Sequence, residues 1–189
     1  YDPELDQMLF YLPLAGSAFK KIYFDGQLNR AVSKFISSED LIIDYFATDI
    51  ESAQRVTHCI KMSSNDLRKN QVSGFYRDVE ISGGTVETSD IEDKVNVLEG
   101  TEQTYGSEDE EHLVLEVHTY LDLKGFEDSN GIKLPYIVTI DKFSQEVLSI
   151  RRNWDESDET KSKKQYFVHF KFLPGLGFYG FGLIHMLGG

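Results

Sequence analysis

The sequence predicts an α+β fold, mainly antiparallel β-sheets and hairpins with two or three short helices. Three observations carry this reading. Apolar residues alternate with polar ones from Leu113 to Leu123, the period of a strand. Strand-like runs come in pairs joined by short turns, at Asp25-Gly26 and at Lys142-Phe143-Ser144-Gln145. Helical spacing is confined to brief stretches near the start of the chain and after Ser64, and no fixed-period repeat is present.

Taken in order, Asp2-Pro3-Glu4 supplies a capping residue, a proline suited to the first helical position and an acid in the first turn. Leu5, Met8, Leu9 and Leu12 follow at helical spacing, so a short helix is expected to about Leu12, ended or kinked by Pro13 and Gly16. Phe19–Asp25 reads as a strand and Arg30–Ile36 as its antiparallel partner. The run Leu41, Ile42, Ile43, Tyr45, Phe46 has no clear alternation, and Thr48–Glu51 has capping-box spacing for one helical turn. Thr57–Met62 is a strand, and Ser64-Asn65-Asp66-Leu67 opens a second helix that should end near Gly74, placed as a residue just past the last turn.

Between Glu80 and Glu111 stand 11 acids and one base, Lys94, with Gly83, Gly84, Gly100 and Gly106 among them. This composition predicts a mobile or extended insertion within a single β-rich segment spanning 1–189. Order resumes at His112, with Leu113, Leu115, Val117, Leu121 and Leu123 on the expected buried face and His112, Glu116, His118, Tyr120 and Asp122 on the solvated one. Leu134–Asp141 and Glu146–Arg152 form a hairpin. A charged loop, Asp155–Lys164, leads to a last strand, Gln165–Phe172, with Tyr166, Val168, Phe170 and Phe172 sharing one face.

Composition bounds the function classes. The 189 residues are 40% hydrophobic, enough for one core or two small ones, which excludes global disorder. No apolar run approaches the length of a bilayer span, and no basic, apolar leader opens the chain, so a soluble protein with no membrane partner is expected. With 19 Lys+Arg against 32 Asp+Glu the net charge is −13, the wrong sign for tight binding of phosphates. A lone Cys59 excludes an internal disulfide framework and a Cys-rich zinc site, as a reducing compartment would favour. The chain has no initiator methionine, and Gly182–Gly189 reads as the start of a helix, so a piece of a longer polypeptide is expected.

Chemical motifs are sparse. Gly175-Leu176-Gly177-Phe178-Tyr179-Gly180 is a literal G-x-G-x-x-G. A dinucleotide site needs it inside a βαβ unit with an acid about 20 residues onward, which this setting lacks. The glycines are better read as bends that let Phe178, Tyr179 and Phe181 pack on a neighbouring surface. Glu116 lies between His112 and His118, yet on a strand the two histidines stand about 20 Å apart, too far to share a metal. Glu108–Glu111 could supply glycosidase or calcium carboxylates, but nothing rigid flanks them. His58 and Cys59 are strand neighbours facing opposite ways, and no G-x-S-x-G or P-loop occurs. Arg151, Arg152 and the lysines of 161–164 form a small basic patch that could touch an acidic neighbour. No residue nominates itself as catalytic, and no cofactor or metal is expected.

Longer strings carry more. Phe10–Asp25 (FYLPLAGSAFKKIYFD), Ser38–Ile43, Thr57-His58, Asn65–Lys69 with Gly74–Asp78, Gly131–Tyr136, Leu148–Trp154 and Leu173–His185 (LPGLGFYGFGLIH) follow in an order that resembles the portal, or head-tail connector, proteins of tailed bacteriophages, especially short-tailed marine ones. The resemblance covers most of the chain and is weakest over Glu80–Glu111. It implies a structural part: a subunit of a ring, commonly dodecameric, at one capsid vertex. Through that ring a terminase drives double-stranded DNA in weak contact with the wall, and capsid or scaffold and tail adaptor proteins dock on it. It implies a virion protein assembled in the host cytoplasm, with no catalytic residues, and a β-rich, wing-like place for this segment. Pro174, Gly175, Phe178, Tyr179 and Phe181 are the expected subunit-interface or hinge residues. The alternative from the residues alone is a small-ligand or carbohydrate-binding β module with Trp154 and the tyrosines as a stacking platform. A third reading is a hydrolase using the acidic tract.

Overall fold

A computed structural model describes residues 2–26, 28–81 and 111–188. Most of the acidic stretch expected to be a mobile insertion lies outside the described residues. The described chain runs α1 (Pro3–Ala15), β1 (Ser17–Asp25), β2 (Arg30–Ile36), β3 (Leu41–Ile43), β4 (Arg55–Ser63), α2 (Ser64–Val72), β5 (Glu111–Leu121), β6 (Leu134–Asp141), β7 (Val147–Arg152), β8 (Phe167–Lys171) and α3 (Leu183–Leu187). The strands form two antiparallel sheets, ordered β2-β1-β8 and β3-β4-β5-β6-β7, which with the short helices make an α+β fold. The chain divides into two compact units. The first holds 1–58, 117–137 and 151–189; the second holds 59–116 and 138–150.

In the first unit α1 starts at Pro3, whose missing N–H is one the helix could not pair in any case, with Glu4 and Asp6 at the positive end of the dipole. Pro13 is accommodated inside the helix, which runs one turn past the expected stop. Gly16, at φ 85°, closes it by donating its N–H to the Leu12 carbonyl at 2.9 Å. The β1–β2 hairpin keeps the expected pairing, Phe19 opposite Ile36 through Asp25 opposite Arg30, and the Asp25 carboxylate accepts the Leu28 N–H at 3.0 Å within its turn. The core gathers Phe19, Ile36, Leu41, Ile50, Ala53, Val56 and Phe167. Residues 48–52 make a turn rather than a helix, and its cap is Asp49, which accepts the Ser52 N–H at 2.7 Å, in place of the expected Thr48.

The last strand turns its odd-numbered residues to the core, while Val168 and Phe170 share the other face as the alternation predicts. Antiparallel register sets Phe19 against His169 and Lys21 against Phe167, so the odd-numbered residues of β8 share the buried face of Phe19. Phe167 and His169 point inward, while Val168 and Phe172 are exposed. The alternation was legible, but a strand with aromatics on both faces does not reveal which one the core will take.

In the second unit Leu67, Tyr76, Val114 and Leu148 form the core, with Ile60, Met62, Val79 and Ile81 packed around them. Here β4 passes into α2 with no intervening loop. The Ser63 hydroxyl caps the helix by accepting the Asp66 N–H at 3.2 Å, and Gly74, at φ 75°, lets the chain turn away. The β6–β7 turn is fixed by Asp141, whose carboxylate accepts both the N–H and the hydroxyl of Ser144 at 2.8 Å.

The expectation of a solvated polar face on β5 is overturned. His112, Glu116 and His118 are all buried. As the middle strand of five, β5 has neighbours on both edges, and its polar side chains find partners inside the protein. In the second unit His112 Nε2 lies 3.0 Å from the Ser64 hydroxyl. In the first, the His118 ring meets the rings of Tyr166 and Phe167 edge-on at 5.5 and 5.0 Å.

Candidate functional site

The segment from Phe172 to Leu187 and the end of α1 are joined backbone to backbone in the first unit. Phe172 donates its N–H to the Gly16 carbonyl at 3.0 Å, and Leu173 and Phe181 exchange two backbone bonds that close the intervening loop at its base. Side chains would prevent this approach. A Cβ at Gly180 would lie 2.5 Å from the Gly16 carbonyl oxygen, and one at Gly182 would lie 2.5 Å from the Gly16 nitrogen. Gly175 is likewise tight against the Tyr179 carbonyl, whereas Gly177 faces open space. The glycine spacing thus serves close chain packing at Gly175 and Gly180, and it is followed by a helix of only five residues.

Ser17 and His169 anchor the loop from inside. Gly180 donates its N–H to the Ser17 hydroxyl at 2.8 Å, and that hydroxyl lies 3.1 Å from His169 Nε2. The His169 ring packs against Phe19 and Phe178, with centroids at 4.5 and 4.6 Å, and the two phenylalanine rings lie 6.1 Å from each other. Burial first, and Lys171 second, hold its pKa down at about 4, so the ring is neutral at pH 7 and Nε2 can accept the Ser17 proton. Of the residues singled out in the sequence, Phe178 therefore packs against the core, while Pro174, Tyr179 and Phe181 lie at the surface, Phe181 against the His185 ring.

The loop, α1 and α3 each leave large apolar side chains exposed. Leu9 and Phe10 on α1, Leu176 in the loop, and Ile184, Met186 and Leu187 on α3 are each more than half exposed, Phe10 to 74% and Leu187 to 82%. The sequence showed the apolar spacing of α1 but gave no sign that its Leu9 and Phe10 would remain uncovered.

A second feature of the first unit is an open concavity of about 340 Å³ floored by Phe126, Leu134, Tyr136 and Trp154 and edged by Glu127, Arg152, Glu156 and Lys161. Trp154 meets Tyr136 edge-on at 5.3 Å, and the Arg152 guanidinium lies 5.7 Å from the centre of the indole while pairing with Glu156 at 3.5 Å. Lys161 is tied to the buried side chain of Asp128, whose carboxyl is held below its usual range first by that hydrogen bond and then by the Asn130 N–H. Part of the basic patch seen in the sequence is thus the rim of an aromatic shelf.

No group of three metal-ligating side chains converges among the described residues, and no helix among them is long and apolar enough to cross a membrane. No protein-family model matches the chain, and no curated protein matches it.

Proposed function

We propose that this chain is a segment of a phage portal subunit, which works by assembling into a ring at the capsid vertex. The observation that carries the reading is the exposed apolar surface of α1, the 173–181 loop and α3. Large apolar side chains gathered on the surface of a folded domain are a common mark of a place where another surface docks. The segment's own backbone contacts hold them in place, as a self-assembling surface requires. Two of the strings that resemble portal proteins, Phe10–Asp25 and Leu173–His185, supply three of these six side chains, Phe10, Leu176 and Ile184. The charge of −13 agrees with DNA passing in weak contact, because a wall rich in cations would hold translocating phosphates by many ion pairs. On this reading terminase, capsid or scaffold and tail adaptor proteins are its partners in the virion. Negative-stain electron microscopy of the concentrated protein tests the reading: arcs or rings of uniform curvature are expected, and a field without assemblies counts against it.

The aromatic shelf around Trp154 favours a second reading, a small-ligand or carbohydrate-binding module, since an indole beside paired charges is a stacking platform for a sugar ring. Trp154 is the only tryptophan, so its fluorescence reports on the shelf alone. A saturable shift on titration with oligosaccharides, lost in Trp154→Ala, would establish this reading, and a flat titration would dismiss it.

A further inference from the structure

In the second unit three residues distant in sequence meet in a relay. The Ser64 hydroxyl lies 3.0 Å from His112 Nε2. On the far side of the ring, His112 Nδ1 faces Asp141 Oδ1 at 3.7 Å, and both atoms are buried without a hydrogen-bond partner. The other Asp141 oxygen is fixed by Ser144, and Lys142 donates its N–H to the Leu113 carbonyl at 2.9 Å, which ties the aspartate's turn to the histidine's strand. Ser64 is the first residue of α2, at the strand-to-helix junction, so its hydroxyl stands at the positive end of a nine-residue helix. Both Ser64 and His112 line an open concavity of about 320 Å³, with Leu67, Arg68, Gln71 and Ile81 among its walls.

We infer that Ser64, His112 and Asp141 form a nucleophilic triad able to cleave small acyl esters, an activity separate from assembly. The order hydroxyl, imidazole, carboxylate is the one that makes a serine a nucleophile, and the long last distance is of the kind that shortens when substrate binds. In the first step Ser64 Oγ bonds to the ester carbonyl carbon, its proton passes to His112 Nε2, and the carbonyl π pair moves onto oxygen beside the α2 N-terminus. The tetrahedral species collapses, breaking the bond to the leaving alkoxide, which takes the proton from Nε2. Water then attacks the acyl-serine in the same two stages, releasing the acid and restoring Ser64. Asp141, fully buried, is a positioning residue that holds Nδ1–H and steadies the imidazolium.

The test is covalent labelling of the folded protein with a fluorophosphonate probe, read by peptide mass spectrometry. One adduct is expected, on Ser64; Ser64→Ala abolishes it, Ser157→Ala, in the other unit, leaves it in place, and Asp141→Asn slows labelling by about 10²–10⁴-fold. Circular dichroism shows whether each variant is folded. Labelling of the wild-type protein no faster than that of the urea-unfolded chain would overturn the inference, as would an adduct that persists in Ser64→Ala. Hydrolysis of p-nitrophenyl acetate that survives Ser64→Ala would overturn it equally.

Discussion

A methyl group at Gly180 has nowhere to go: its carbon would stand 2.5 Å from the Gly16 carbonyl oxygen and 2.7 Å from that of Leu173, both of which belong to backbone that cannot rotate aside. Gly180→Ala should therefore cost about 1–3 kcal/mol by overpacking, whereas Gly177→Ala, in open space, should cost almost nothing. Urea melts of the two variants check the contrast. His169 gives a pH dependence whose sign follows from its lowered pKa. Above pH 6.5, the ordinary value for histidine, the ring is neutral both folded and unfolded and the native contacts are fully present; below it the unfolded chain takes up a proton that the folded one refuses down to about 4. Stability should fall as pH drops through that window, and His169→Phe should flatten this part of the profile while losing the bond to Ser17. A stability that rises across the same window would contradict the assignment. Neither role was visible from residue type: a glycine shows its reason only when the backbone it approaches is known, and a histidine packed with two phenylalanines distant in sequence has no sequence signature.

At the scale of elements, the hairpins and helix ends were the most legible parts, because their signals are local. Arg30–Ile36, the β6–β7 pair and Gly74 are where turn and capping chemistry placed them. The burial of the polar residues of β5 was not, since it depends on which strands flank it and not on alternation. One local rule is broken in a hairpin. Gln145 closes the β6–β7 turn at φ 59°, a left-handed position that glycine occupies without strain. Gln145→Gly should stabilise the protein by about 0.5–1 kcal/mol, the left-handed cost of about 1–2 kcal/mol less glycine's added chain entropy. A lower melting temperature for this variant would show that the glutamine side chain holds the turn in some other way. The Ser64, His112 and Asp141 relay was hidden for a related reason: its three members are contributed by a helix start, a central strand and a hairpin turn, which only the fold brings together.

For the whole molecule, charge and apolar surface act in opposite directions. A charge of −13 opposes association of copies at low ionic strength, while on the proposed assembly reading the uncovered leucines, isoleucine, methionine and phenylalanine of α1, the loop and α3 are the surface that would draw them together. Association driven by that surface should strengthen as salt screens the repulsion. The apolar residues themselves were readable from the sequence, but their exposure came only with the fold. Sedimentation velocity across a concentration series, at low and high salt, tests the assembly account most directly. It predicts a sedimentation coefficient that climbs with concentration and with salt, and that Phe10→Asp combined with Leu187→Asp reduces to the monomer value. A wild-type chain that stays monomeric at about 1 mM, where even about 4 kcal/mol of association free energy would register, would contradict it.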